Sequence, residues 1–169
     1  MPELIAPTAR LELPWWEAHA EWGPGAHEDG AGILPSDDVE SPAGFARWLH
    51  RLAAEGDPAT VLPAGRVPCT YRWIVDGEQV LGAIALRHQL NDYLLRAGGH
   101  IGYGIRPSAR RRGLATWALG EMLGQARDLG LDRVLLVCET DNLASAATIE
   151  HHGGVLDEAH VGQPHDIRR

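Results

Sequence analysis

The spacing of apolar residues along the chain predicts three amphipathic helices. The first runs from Ser41, a typical N-cap residue, to Gly56. Its apolar face consists of Phe45, Trp48, Leu49 and Leu52. A longer helix with one apolar stripe is predicted over residues 113–129, and a short one begins at Asn142 and ends near His152.

Other segments carry the pattern of strands. The predicted strands cover residues 71–75, 80–86, 100–105, 134–138, 155–161 and 165–169. The first two flank Asp76-Gly77, a dipeptide that favours a tight hairpin turn. The run at 134–138 is apolar at every position, which is typical of a strand covered on both faces.

Residues 1–40 lack such a pattern and are expected to be irregular. Five prolines interrupt them, and a short helix is predicted only around residues 14–22, which carry Trp15, Trp16 and Trp22. Exposing three tryptophans to water would be costly, so this segment is expected to wrap onto the body of the protein.

Composition narrows the class of protein. A chain of 169 residues, 44% hydrophobic, suits a single domain over residues 1–169. The 15 basic residues are all Arg, and with 23 acidic residues the net charge is −8, which argues against a nucleic-acid partner. The sequence predicts a cytoplasmic protein with no membrane partner. It has two cysteines and shows neither a signal peptide nor an apolar run of membrane-spanning length.

Charge is unevenly distributed along the chain. Residues 1–67 hold 4 Arg and 11 acidic residues, whereas residues 68–169 hold 11 Arg and 12 acidic residues. The second part contains the cluster Arg110-Arg111-Arg112, followed by Gly113 at the start of the predicted helix. This combination predicts an anion site, most naturally for a pyrophosphate. It offers the free amides of a first helical turn, a residue without Cβ and arginine side chains. A solvated turn is the simpler interpretation.

The order of motifs resembles that of a known family. Arg110-Arg111-Arg112-Gly113-Leu114-Ala115 matches the [RQ]-x-x-G-x-[GA] signature of the GNAT (GCN5-related N-acetyltransferase) family. Ile105-Arg106-Pro107 precedes it, and Asn142-x-x-Ser145-Ala146 follows the next predicted strand. The resemblance spans residues 68–160, and the stretch from Leu86 to Tyr103 is similar to a bacterial subgroup of predicted acetyltransferases.

This resemblance implies an α+β fold with a mixed, mainly antiparallel central sheet flanked by helices. Two central strands would diverge, with acetyl-CoA in the gap and no metal. Residues 1–67 would then be a variable wrapping segment and helix, 68–160 the acetyl-CoA-binding core, and 161–169 a short final strand. The implied cofactor-binding residues are Ile105, Arg110, Arg111, Arg112, Gly113, Leu114, Ala115, Thr116, Asn142 and Ser145.

The family resemblance also implies a direct attack of an amine on the acetyl thioester. A base must take the amine's proton, and an acid should stabilise the departing thiolate. Many members place a Tyr on the second motif helix, but the equivalent residue here is Ile149. Tyr103 and Glu139 are therefore the candidate catalytic residues, with His100 as a further titratable candidate.

Arg87, His88 and His100 are the candidate substrate-binding residues. An Arg at this strand end could bind an acceptor carboxylate or form a simple ion pair. Cys138 lacks an activating neighbour in sequence, which disfavours a covalent acyl-cysteine route. The histidines at 151, 152, 160 and 165 fit no standard metal spacing.

Three functions remain open at this point. The leading hypothesis is an acetyl-CoA-dependent N-acetyltransferase that modifies the primary amine of a small molecule. The alternatives are a non-catalytic CoA-binding module, suggested by the missing Tyr, and a protein or peptide N-acetyltransferase. A homodimer is left open.

Overall fold

The computed structural model describes residues 1–157, 159–160 and 167–168. Its strands are β1 (Glu3–Ile5), β2 (Cys69–Asp76), β3 (Gln79–Arg87), β4 (Ile101–Ile105), β5 (Cys138–Glu139), β6 (Ala159–His160) and β7 (Ile167–Arg168). Its helices are α1 (Glu12–Ala20), α2 (Pro42–Gly56), α3 (Leu94–Ala97), α4 (Leu114–Asp128) and α5 (Leu143–His151).

The strands form two antiparallel groups. β1, β2, β3 and β4 lie side by side in that order, whereas β5, β7 and β6 form the second group. In the described residues the groups meet where Leu136 bridges Gly99 and Ile101, at the start of β4. No ladder pair joins β4 to β5 beyond that point in the described part of the chain, so these two strands diverge and leave a gap.

The sheet separates two apolar cores, because successive residues of a strand point to opposite faces. The first core lies against α1 and α2, and its largest buried side chains are Trp15, Phe45, Trp48 and Trp73. The second lies against α4, and its largest buried side chains are Ile74, Ile84, Leu86, Ile101, Leu119 and Met122. The mixed helix and sheet architecture confirms the predicted α+β class.

Local signals predicted several elements correctly. Ser41 caps α2, with its hydroxyl accepting a hydrogen bond from the Gly44 amide at 3.1 Å. The β2–β3 hairpin pairs Asp76 with Gln79 across a turn in which Gly77 adopts a φ of 61°. The helices predicted at 113–129 and 142–152 are also present, and each is shorter than predicted by one residue at both ends.

Two predictions were wrong. Residues 1–40 are not wholly irregular outside the predicted short helix, because β1 pairs with β2. The helix predicted around residues 14–22 is present as α1, with Pro14 in its first turn, where proline is tolerated. The run at 134–138 is not a fully covered strand: only Cys138 belongs to β5, and residues 134–137 are half-buried.

The last two strands follow the predicted order. β6 and β7 lie within the segments predicted at 155–161 and 165–169 and pair antiparallel. Residues 158, 161–166 and 169 lie outside the described residues.

Candidate active site

The start of α4 forms a cluster of free backbone donors. Gly113 occupies the N-cap with a φ of 75°, and Arg111 also adopts a left-handed φ, of 60°. Within the described part of the chain, the amides of residues 111–116 donate no hydrogen bond. A Cβ at Gly113 would meet no atom within 4 Å. The loop therefore presents an open set of N–H groups at the positive end of a helix, which is suited to a phosphate group.

The three arginines of this loop have different surroundings. Arg111 and Arg112 are exposed beside the free amides. The Arg110 side chain turns back toward β4, where its Nε donates to the Ile105 carbonyl at 3.0 Å. Its guanidinium also lies over the Trp22 ring, 5.0 Å from the ring centre. Arg110 thus shapes the loop, while Arg111 and Arg112 can face a bound anion.

The edge of β4 that faces the gap carries unpaired backbone groups. The Arg87 amide donates to the His100 carbonyl, and the Arg106 amide donates to the Leu81 carbonyl. These two hydrogen bonds show which alternate residues of β4 bond to β3. By the alternation of an antiparallel ladder, Tyr103 and Ile105 direct their backbone groups away from β3, into the gap. The Ile105 carbonyl already accepts from Arg110, and in the described residues the Ile105 amide and both backbone groups of Tyr103 make no hydrogen bond. An extended chain with amide groups could hydrogen-bond to this edge.

Tyr103 spans the gap to α5. Its hydroxyl lies 2.8 Å from the hydroxyl of Ser145. It also donates a hydrogen bond to the Ser145 carbonyl oxygen at 3.3 Å. Burial is the main cause that raises the pKa of Tyr103 above its ordinary value of 10. The phenol is therefore protonated at neutral pH. Ser145 lies on α5, the helix that carries Ile149 in place of the family's usual Tyr. Tyr103 of β4 therefore brings a phenol to a helix that has none of its own.

The turn between β5 and α5 holds two further predicted residues. Asn142 caps α5, with its Oδ1 accepting from the Ser145 amide at 3.0 Å, which leaves its side-chain NH₂ to donate elsewhere. Glu139 is exposed at the end of β5, and its carbonyl accepts from the Asn142 amide at 3.0 Å.

The predicted substrate residues do not form one group. Arg87 faces the N-terminal segment, whereas His88 lies 2.8 Å from the Thr70 hydroxyl through its Nε2. His100 accepts the Leu135 amide at its Nδ1, at 2.9 Å, so its neutral ring can only donate, through Nε2. Burial first, and then Arg87, lower the pKa of His100 below 6.5, so the neutral ring is favoured.

Sequence reasoning missed the contacts made by the segment between α1 and α2. Glu21 accepts from the Arg106 guanidinium and from the amide and hydroxyl of Ser108, at 3.0 and 2.9 Å for the latter two. Further along, a Cβ at Gly104 would lie 2.8 Å from the Asp29 carbonyl oxygen. This segment therefore lies over β4. No local pattern signals such a position, because it depends on contacts between residues far apart in sequence.

Comparison with known proteins places this geometry in a family. The chain matches the acetyltransferase (GNAT) domain model over residues 34–155. Because that match covers most of the chain, the protein belongs to the GNAT family and is an acetyl-CoA-dependent acetyltransferase. No curated protein matches the sequence.

Solved structures share the fold at low sequence identity. A protein from Bordetella pertussis described as a GNAT-family acetyltransferase is 15% identical, with a TM-score of 0.66, over 98% of this chain and 91% of its own. A Salmonella typhimurium acetyltransferase that modifies the N-terminal serine of ribosomal protein L7/L12 is 15% identical, with a TM-score of 0.66. The match covers 99% of this chain and 91% of the Salmonella chain. The microcin C7 self-immunity acetyltransferase MccE, solved with acetyl-CoA and AMP, is 13% identical, with a TM-score of 0.65. The match covers 99% of this chain and 90% of the MccE chain.

The described residues contain neither a candidate metal site nor a membrane-spanning helix. They include no group of three His, Cys, Asp or Glu side chains that could hold a metal ion. None of the described helices has the length and apolar character needed to cross a membrane.

Proposed function

We propose that this acetyltransferase transfers the acetyl group of acetyl-CoA to a primary amine of a small molecule, within a ternary complex. The observation that carries the proposal is the set of free amides over residues 111–116, next to a gap with an unpaired strand edge. These amides, with Arg111 and Arg112, would bind the pyrophosphate. The free backbone groups of Tyr103 and the free amide of Ile105 would pair with the amide groups of the pantetheine, with Asn142 and Ser145 on the other side of the gap.

The chemistry requires one proton to leave the amine and one to reach the sulfur. As the new C–N bond forms and the C–S bond breaks, the thiolate takes the bonding electrons. We assign the acid role to Tyr103, because its phenol lies in the gap and its raised pKa keeps it protonated. Glu139 at the end of β5 is the proposed base, acting through water because it is exposed.

An N-terminal peptide is a second candidate acceptor. The Salmonella structural neighbour acts on an N-terminal serine of a ribosomal protein. Residues 1–67 of the present chain carry 11 acidic residues against 4 Arg, a charge that would attract a basic peptide.

Release of CoA thiol tests both candidates. Purified protein and acetyl-CoA are incubated with amino acids, polyamines, aminoglycosides and N-terminal serine peptides, and mass spectrometry identifies each acetylated product. Turnover of a small amine supports the proposal, and turnover of peptides alone favours the second candidate. If no amine in any group is acetylated by a protein that binds acetyl-CoA, the proposed reaction is wrong.

A further inference from the structure

Two charged residues lie over neighbouring positions on the same face of β4. A Cβ at Gly102 would be 3.7 Å from Nη1 and 3.8 Å from Nη2 of Arg87, so the guanidinium lies beside Gly102. The backbone of Asp29 covers Gly104, two residues along the strand. Such positions are about 7 Å apart along a strand. The Arg87 guanidinium and the backbone of Asp29 therefore lie along one short stretch of β4, on the side covered by the N-terminal segment.

Arg87 is held in place without a carboxylate. Its Nη1 donates to the carbonyls of Gly98 and Gly99, at 3.1 and 3.2 Å. No Asp or Glu lies within 4 Å of its guanidinium nitrogens among the described residues, and no described group accepts from its Nε or Nη2. A half-buried guanidinium fixed by two carbonyls can use its remaining donors for a carboxylate.

Asp29 supplies the opposite charge. Its Oδ1 lies 3.1 Å from Nε2 of His27, and its side chain remains 62% exposed, so a second cation can reach the carboxylate. The electrostatic effects support the proximity of these groups. The hydrogen bond that His27 donates to Asp29 raises the pKa of His27, and Arg87 lowers it, so His27 lies within range of both charges. Asp29 also contributes to the raised pKa of Tyr103.

We propose that the acceptor is an amino acid or a close analogue, whose carboxylate binds Arg87 and whose ammonium group faces Asp29 before losing its proton. This inference rests on the proposed acetyl transfer and specifies the substrate class. An amino acid carries both charges, so its carboxylate can meet Arg87 while its ammonium group meets Asp29 on the same side of β4. A polyamine or aminoglycoside would instead place a cation against Arg87, which disfavours binding.

Matched substrate pairs test the inference without any mutation. Each common amino acid is assayed beside its own carboxamide, which keeps the amine and removes the negative charge. We expect at least one acid to be acetylated with a kcat/KM about tenfold or more above that of its amide, since a charged hydrogen-bonded pair is lost. Equal or faster turnover of the amides, or turnover restricted to polyamines or peptides, overturns the inference and leaves acetyl transfer intact. Absence of turnover with every amine contradicts both.

Variants then assign the preference to the two residues. Arg87→Gln should raise the KM for the acid about 10- to 100-fold, leave the KM for acetyl-CoA unchanged and remove the preference over the amide. Arg87→Lys should retain part of that preference, because it keeps the charge. The matched control Arg72→Gln removes a β2 arginine that donates to the carbonyl of Tyr71. Asp29→Asn should raise the KM for acid and amide alike. An unaltered preference in folded Arg87→Gln would refute the assignment of Arg87.

Discussion

At the scale of single residues, Gly113 and Tyr103 show how backbone geometry and burial prepare groups for chemistry. Gly113 adopts a left-handed φ at the N-cap of α4 and leaves open space above the free amides. Tyr103 is partly buried, and its hydroxyl contacts a residue 42 positions away. In the proposed function, the first residue gives an anion access to the loop, and the second supplies a proton at the far side of the gap.

Gly113→Asp should weaken CoA binding by a factor of about 10 or more, because a carboxylate would stand where the pyrophosphate binds. Isothermal titration with CoA measures the change. Gly130→Asp is the matched control, since Gly130 has a φ of 81°, meets no atom within 4 Å and lies at the opposite end of α4. Tight CoA binding by folded Gly113→Asp would show that the site is elsewhere.

Tyr103→Phe should lower kcat about 100-fold and change the KM for acetyl-CoA little, because only the proton donor is removed. Steady-state kinetics with the best amine measures both values. Tyr93→Phe serves as the control, since Tyr93 is 70% exposed. In the wild type, burial raises the pKa of Tyr103 above that of a free phenol, so its ionisation should lower kcat only at more alkaline pH than a free phenol would. An unchanged kcat in Tyr103→Phe would rule out the acid role.

At the scale of elements, the C-terminal end of α1 is joined to the loop between β4 and α4. Glu21 makes this connection through Arg106 and Ser108, and Trp22 adds its contact with Arg110. The segment that covers the acceptor side of β4 is thereby attached to the loop proposed to bind the pyrophosphate. A change at Glu21 should therefore affect both stability and the order of the site.

Glu21→Gln should destabilise the fold by about 1 kcal/mol at pH 7, since the ion pair is partly exposed. The hydrogen bonds from Arg106 lower the pKa of Glu21 from its ordinary value of 4.5 to about 2. This contribution is present above pH 4.5 and is lost as the pH falls toward 2. Urea unfolding at pH 7 and pH 3 should thus show a smaller difference between variant and wild type at pH 3. Glu121→Gln, at an exposed position on α4, is the control, and a difference that grows at pH 3 would contradict the assignment.

At the scale of the whole molecule, the divided sheet makes ligand binding and stability interdependent. In the described residues, the two strand groups are joined by the bridges of Leu136 and by the hydrogen bonds between His100 and Leu135. The gap beyond these contacts is spanned by Tyr103 and Ser145. A molecule that occupies the gap would contact both groups in the folded state and neither in the unfolded chain.

CoA at 100 times its Kd should therefore raise the melting temperature by about 5–10 °C, from a stabilisation of about 2.7 kcal/mol in a chain of this size. Thermal unfolding with CoA, and with adenosine as a control that lacks the pyrophosphate and pantetheine, measures the effect. Gly113→Asp, with CoA binding weakened about tenfold or more, should show at most about half that shift at the same CoA concentration. No shift in the wild type under saturating CoA would contradict binding in the gap.

Much of the fold could be predicted from local patterns. The cap at Ser41, the turn at Gly77 and the periodicity of α4 each act within a few residues, so they can be identified without the rest of the chain. The proposed anion loop has the same origin, because Arg111, Arg112 and Gly113 are consecutive and precede the helix whose start they form.

The sequence by itself therefore determined the hairpin, the main helices and the candidate anion loop. Only the tertiary structure decided that β4 and β5 diverge, that Tyr103 meets Ser145, and that Asp29 lies over β4 near Arg87. The physical reason is the range of the interactions. Capping, turns and helical periodicity are set by neighbouring residues, whereas strand divergence and contacts across the gap depend on how distant segments pack against a common core.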